Sequence, residues 1–357
     1  KAQRTPVIED LFTQRQEWLV DAGDLPASDG PTVGIPMTMF AQQSLPFWRT
    51  LMTHLGFRVV LSEPTNKRIV QAGLDAVVAE PCFPIIAAHG HVIDLLDKGV
   101  DAVLQPNIVS LDGGDPKNKS HLCPWHQTLP FVVRRAPAIA ERAPERTFTP
   151  VVRFHEGRPA AADQLTKYFV TQGFAAKRIR QAVAAGFAAQ DRFDAKVLTA
   201  GADALATLET AGEPGIILLG RPYNVYDAGM NLSVAHKLRD HYGCNCLPMD
   251  ALPLADIDIR SIHPNMFWSL GKRILQAARY VADKPHLHLI YITNFKCGPD
   301  SYIKHFVKAA CGKPLLTLQF DGHSNDAGMM TRCEAYLDSK GLLRSPQPVQ
   351  AVEGVLN

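Results

Sequence analysis

The stretch Gly215-Ile216-Ile217-Leu218-Leu219-Gly220-Arg221-Pro222-Tyr223 decides the fold class of this chain. Four consecutive aliphatic residues between glycines read as a strand buried on both faces, the pattern of a parallel sheet covered by helices. Towards the C-terminus the same unit continues with an expected helix over 232–241, a strand over 244–247 and a helix over 266–281. A strand over 287–292, a helix to about 310, a strand over 314–320 and a helix over 329–337 complete it. Towards the N-terminus a second alternation appears, with strands expected at 32–36, 57–61, 76–79 and 102–104 and helices at 45–55, 66–73 and 85–96. Strands alternating with helices at this spacing argue for parallel sheets with helices on both faces.

Between the two alternations, residues 160–210 are Ala-rich and helical by period, broken into runs at 164–169, 175–187 and 193–208. The expected architecture is therefore α/β: two Rossmann/flavodoxin-like parallel-sheet units joined by a helical connector, with the functional site in the cleft between them. The boundaries read as an N-terminal helix (8–19) and linker over 1–30, a first α/β domain over 31–150, and a connector over 151–213. A second α/β domain over 214–340 and a tail over 341–357 follow. Residues 107–122 read as a long polar loop holding Gly113, Gly114 and Pro116, a length that inside a compact domain favours a functional loop.

Composition narrows the function classes. With 46% apolar and 20% charged residues the chain is an ordinary globular one, and a net charge of +2 gives no basic excess for nucleic acid. No apolar run approaches the roughly 18–20 residues that span a bilayer. The start, Lys1-Ala2-Gln3-Arg4, has neither an initiator Met nor the apolar core of a signal peptide, as expected of a piece of a longer protein. Seven cysteines in 357 residues are too few and too odd for a disulfide scaffold, which favours metal or redox use in a reducing cytoplasm.

Three of those cysteines stand in punctuated phrases: Glu80-Pro81-Cys82-Phe83-Pro84, His121-Leu122-Cys123-Pro124-Trp125 and Lys296-Cys297-Gly298-Pro299-Asp300. Cys82 and Cys297 are expected at strand-to-helix junctions, where open parallel sheets bind ligands. A thiol ahead of a helix faces partly positive N–H groups, which favour thiolate and hold an anionic cluster. The reading is an iron–sulfur cluster on Cys82, Cys123 and Cys297. Against it, buried cysteines are usually small core residues and no Cys-x-x-Cys is present. Zinc stays open, with His89, His91, His121 or His126 as a fourth ligand, although each of those histidines reads otherwise as a helix-surface or loop residue. Of Cys244 and Cys246, alternating in a strand, one is expected to face the core; Cys311 and Cys333 belong to helices.

Arg221 and Tyr223, directly after the strongest strand, are candidates for holding a substrate carboxylate or phosphate. The alternative is a turn with a solvated arginine. No Gly-x-Gly-x-x-Gly, Walker loop or Gly-x-Ser-x-Gly is present, so neither a nucleotide site nor the commonest hydrolase site is indicated.

The combination of phrases resembles the 2-hydroxyacyl-CoA dehydratase superfamily, and more closely the domain of large CoA-enzyme activase-related proteins. It is carried by Val33-Gly34-Ile35-Pro36 with Pro46-Phe47-Trp48, Gly56-Phe57-Arg58-Val59-Val60-Leu61-Ser62, Cys82-Phe83-Pro84 with His89-Gly90-His91, and Cys123-Pro124. Gly220-Arg221-Pro222-Tyr223, Trp268-Ser269-Leu270-Gly271-Lys272-Arg273 and Cys297-Gly298-Pro299-Asp300 complete it. The resemblance implies an oxygen-sensitive [4Fe–4S] cluster on Cys82, Cys123 and Cys297 with one iron open, a double-cubane cluster being the lesser alternative. It implies an ATP-dependent activase as partner, in cis or trans, that delivers a low-potential electron, a small-molecule substrate, and a dimer. In true dehydratases that electron makes a ketyl radical on a 2-hydroxyacyl-CoA. A [4Fe–4S]-dependent reductase or dehydratase component is one outcome; a non-catalytic electron relay or scaffold module is the other. No activase-type ATPase motif occurs in this chain.

Overall fold

The computed structural model describes residues 4–23, 25–112, 119–142 and 146–343. Gly113, Gly114 and Pro116 of the expected loop lie outside the described residues, as does the tail from 344. After helix α1 (Leu11–Val20), the first unit runs β1 (Thr32–Ile35), α2 (Ala41–His54), β2 (Arg58–Leu61), α3 (Lys67–Ala76) and α4 (Phe83–Asp97). It continues through β3 (Ala102–Leu104), β4 (Asn107–Ser110), α5 (Pro124–Val133), α6 (Pro137–Ala140), β5 (Arg146–Phe148) and β6 (Val151–Arg153). Helices α7 (Arg158–Thr171) and α8 (Ala176–Ala211) follow. The second unit comprises β7 (Gly215–Gly220), α9 (Pro222–Val225), α10 (Val234–Tyr242), β8 (Asn245–Pro248), α11 (Ser269–Ala282), β9 (Leu287–Asn294), α12 (Gly298–Cys311), β10 (Leu316–Phe320) and α13 (Asp326–Ser339).

Strand order is β2-β1-β3-β5 in the first sheet and β10-β9-β7-β8 in the second, with a two-stranded β4-β6 ribbon beside the first. Every strand pair within these sheets is parallel. All six residues of β7 are buried, and it sits at the centre of its sheet between β8 and β9, as its unbroken apolar run requires. Glycine is required at the strand's last position, 220, because a Cβ there would come 2.3 Å from the Ile292 carbonyl oxygen.

The expected strand at 76–79 does not form. Residue 76 closes α3, Val78 is 77% exposed, and the chain turns back directly into α4. The reason is the close pairing of α3 and α4. A Cβ on Gly73 would meet the Ile86 oxygen at 2.1 Å, and one on Gly90 the Ile69 oxygen at 1.9 Å. Two glycines thus let the helices touch backbone to backbone, leaving no sheet edge for Val77 and Val78.

Of the three runs expected in the connector, 164–169 lies in α7, and 175–187 and 193–208 merge into one continuous helix. Helix α8 spans 36 residues, about 54 Å long at 1.5 Å per residue. Gly186 seats it on Phe47 of α2, and Gly201 seats it on the Ala251 carbonyl just after β8. Helix α1 likewise touches both sides: Leu19 lies in the first unit's core, whereas Phe12 packs with β7 and α10. No helix among the described residues is long and apolar enough to cross a membrane.

Candidate functional site: three thiols at three helix starts

Cys82, Cys123 and Cys297 are the N-cap residues of α4, α5 and α12, each in extended backbone conformation and each followed by proline in the first turn. Proline suits that position because the first-turn N–H has no partner inside the helix. Each thiol therefore stands where helix N–H groups point outwards. The N–H groups of Ile85 and Asp300, three residues on, oppose the upward shift of the Cys82 and Cys297 thiols.

Two links join the segments that carry these caps. Lys296, the residue before Cys297, forms an ion pair with Glu80, two residues before Cys82. The His121 N–H donates to the Phe267 carbonyl at 3.1 Å, and the Ser269 N–H donates to the His121 carbonyl at 3.0 Å. That short parallel bridge fastens the turn before Cys123 to the start of α11, with the His121 ring stacked on Phe267.

Arg221 sits among the thiols. It is 1% exposed, so the solvated-turn alternative does not describe it. Its Nε donates to Asp300 Oδ1 at 2.7 Å, and Asp300 Oδ2 accepts from Thr293 Oγ1 at 2.7 Å. Burial alone would lower the Arg221 pKa, but Asp300 holds it well above its usual value, so the charge is permanent. Both Nη1 and Nη2 are buried without a hydrogen-bond partner. Burial pushes the Cys82 thiol up to about 12, with Cys123 adding to the rise and Arg221 opposing it. Burial, then Asp300, pushes Cys297 to about 12, again against Arg221. The buried Tyr223 hydroxyl, raised well above its usual value by burial, feels Arg221 and all three thiols. The structure therefore brings together all five residues singled out from sequence.

The histidines separate. His126, on the first turn of α5, has its ring 6.2 Å from that of Tyr223, and its Nδ1 is buried without a partner. Burial, then Arg221, lowers its pKa to about 3. His89 and His91 are buried in α4 rather than on a helix surface; His89 Nδ1 contacts the Ile85 carbonyl, and His91 has both ring nitrogens engaged. Among the described residues no group of three or more His, Cys, Asp or Glu side chains is close enough to hold a single metal ion.

The remaining cysteines lie elsewhere. Cys244 and Cys246 are both buried in one cluster with Cys333, because residues two apart along a strand share a face. Cys311 packs in the core between β9 and α12.

Several site residues were not identified from sequence. Asp300 was visible only as the end of a cysteine phrase. Asn224 and Asn294, joined at 2.7 Å with Asn224 Nδ2 and Asn294 Oδ1 otherwise unpartnered, gave no signal. A partial signal for the caps was present: cysteine with proline one or two residues later occurs four times in the chain, at the three caps and at Cys246-Leu247-Pro248, which lies in β8.

A paired parallel-sheet α/β protein with three thiols and a buried arginine between its sheets is thus defined. Residues 32–252 match the family described as the CoA enzyme activase uncharacterised domain. The chain belongs to that family. Cys82, Cys123, Arg221 and Tyr223 fall inside the matched region, and Cys297 falls beyond it. No curated protein matches the chain.

Proposed function

We propose that this domain is an iron–sulfur redox unit of 2-hydroxyacyl-CoA dehydratase type, which takes a low-potential electron from an ATP-dependent activase and uses it on a bound small molecule. The observation that carries the reading is the convergence of three helix-capping thiols on a buried arginine with two unpartnered nitrogens. Buried polar atoms without partners are rare, and a guanidinium is costly to leave so. An anionic, sulfide-bearing group would accept from both nitrogens. A four-iron cluster spreads its corners over several ångströms, so its thiols need not crowd onto one ion.

Cys82, Cys123 and Cys297 would hold the group. With three thiolates bound, it supplies a path for one electron and an iron free to polarise a substrate oxygen. The chain's own residues set the environment. Asp300, held by Thr293, orients the guanidinium of Arg221, which would offset the negative charge of a bound cluster. The three helix N-termini add partial positive charge. Tyr223 and neutral His126 keep water from Arg221 without adding charge of their own. The activase, in cis or trans, and a dimeric assembly belong to the same reading.

Anaerobic reconstitution with iron and sulfide tests it. The expected product is a brown protein with about four irons per chain. A Cys82→Ala, Cys297→Ala double variant should retain almost none; full iron in that variant overturns the assignment.

A further inference from the structure

A separate cavity of about 370 Å³ opens where the first sheet's carboxyl edge meets the turn after α9. Phe12, Val20, Met37, Leu61 and Val225 make most of its wall apolar. None of the three thiols, Arg221 or Tyr223 is among its lining residues. Its polar lining comes from Ser62 and Thr65 after β2, Asp227 and Asn231 after α9, Gln42 of α2, and Arg15 and Glu17 of α1 with His236 of α10.

Behind Ser62, Thr65 and Asp227 runs a continuous hydrogen-bond chain. The Met37 N–H donates to Ser62 Oγ at 2.8 Å. Ser62 Oγ lies 2.7 Å from His91 Nδ1, and His91 Nε2 lies 2.9 Å from Thr65 Oγ1. The Thr65 hydroxyl donates to Asp227 Oδ2 at 2.5 Å. Asp227 Oδ1 accepts from the Gly229 and Met230 N–H groups. His91 itself has no solvent exposure, so the chain meets the cavity only through Ser62, Thr65 and Asp227.

The donors can be assigned in two ways. With Asp227 ionised, Thr65 donates to it, His91 Nε2–H donates to Thr65, and Ser62 donates to His91 Nδ1. With Asp227 protonated, every bond reverses: Asp227 donates to Thr65, Thr65 to Nε2, and Nδ1–H to Ser62, whose own proton is then free for the cavity. The two arrangements differ by one proton. That proton enters at Ser62 as the Ser62 proton passes to Nδ1, the Nε2 proton to Thr65 and the Thr65 proton to Asp227. Imidazole stays neutral before and after.

We propose that this cavity is a second ligand site, which takes a compact, mostly apolar molecule with one weakly acidic or basic group and exchanges a proton with it through Ser62, His91, Thr65 and Asp227. The electrostatics agree. Burial raises Asp227 to about 6, with Thr65 and the two N–H groups opposing the rise, so its proton moves near neutral pH. Burial lowers His91 to about 3, so the ring passes a proton on without keeping one. The charged groups nearby are Asp94 and Lys98 on α4 with Arg68 on α3 beside His91, and Arg15, Glu17 and His236 around the cavity. This site stands independently of the iron–sulfur reading.

Nitrogen NMR of the full chain labelled with 15N-histidine tests the proposal, with His91 assigned by a His91→Asn variant. As pH falls through about 6, the protonated and unprotonated signals of His91 should exchange between Nε2 and Nδ1, with no imidazolium formed. In Asp227→Asn one tautomer should persist at every pH. Added p-nitrophenol, a compact weak acid, should shift that midpoint in the native chain and leave the variant unaffected. A His91 tautomer constant across this range, or one that still switches in Asp227→Asn, rejects the proton chain. A switch indifferent to p-nitrophenol rejects the ligand site and leaves a structural hydrogen-bond chain.

Discussion

The surroundings of Arg221 and of His91 are both fully buried and both polar, yet they are completed in opposite ways. Around Arg221, two guanidinium nitrogens, Asn224 Nδ2, Asn294 Oδ1 and His126 Nδ1 have no partner. Around His91, both ring nitrogens meet hydroxyls, and those hydroxyls meet a backbone N–H and a carboxyl group. An unpartnered buried polar atom costs about 1–3 kcal/mol, more when charged. A region that collects several is built for something that brings the missing partners. A chain in which each member meets the next, as from Ser62 through His91 and Thr65 to Asp227, is built to hold, or to hand on, a proton.

The largest expected effect breaks the first region. Asp300→Ala leaves Arg221 as an unpaired buried charge and should destabilise the protein by about 3–5 kcal/mol in urea titrations. Replacing both partners, Arg221→Met with Asp300→Leu, should recover most of that loss while reconstituted iron stays low. Recovery of stability and iron together would remove Arg221 from the account.

Next comes the second region. Asp227 has a folded pKa of about 6 against an ordinary 3.8, so the native state binds its proton more tightly. Its contribution is therefore present below pH 4 and is lost as pH rises through 6, by about 3 kcal/mol for two units. His91, lowered to about 3, acts the other way and costs stability as pH falls below 6.5. The two slopes overlap in the native chain, and Asp227→Asn separates them. Its stability relative to the native chain should grow by about 3 kcal/mol between pH 4 and pH 7. A difference that does not change over this range contradicts the raised pKa.

How much of this was legible in the chain depends on distance along it. Strand β7 declared itself through Ile216 to Leu219, whereas cysteine followed closely by proline marked the three caps together with Cys246 of β8, which caps no helix. Val77 and Val78 misled, because β-branched residues favour strands only where a sheet edge is available, and the Gly73–Gly90 contact removes it. Helix α8 looked broken because Gln190, Asp191 and Arg192 interrupt its apolar stripe. Asp191 and Arg192 are exposed, Asp191 pairing with Arg158, whereas half-buried Gln190 donates to the Gln43 carbonyl of α2. The proton chain could not be read at all. Thr65 and Asp227 are 162 residues apart and stand in no singled-out phrase, and His91 drew notice only as a possible zinc ligand and part of a family phrase.

Two smaller effects sharpen the contrast further. Gly90→Ala places a Cβ 1.9 Å from a backbone oxygen, so α3 and α4 must separate, at about 1–3 kcal/mol. Because α4 begins at Cys82, iron loading should fall as well; unchanged loading would show that the α3–α4 seating does not position that thiol. Cys333→Ala, in the apolar core of the second unit, should cost about 1 kcal/mol and leave reconstituted iron at the native level. Iron lost on this substitution would move the metal site to Cys244, Cys246 and Cys333.

Anomalous scattering at the iron edge, from crystals of the anaerobically reconstituted protein, tests the central claim most directly. One compact iron peak is expected, enclosed by the Sγ atoms of Cys82, Cys123 and Cys297, with Arg221 Nη1 and Nη2 turned towards it. Iron at Cys244, Cys246 or Cys333, or reconstituted crystals with no iron at the three helix caps, would contradict it.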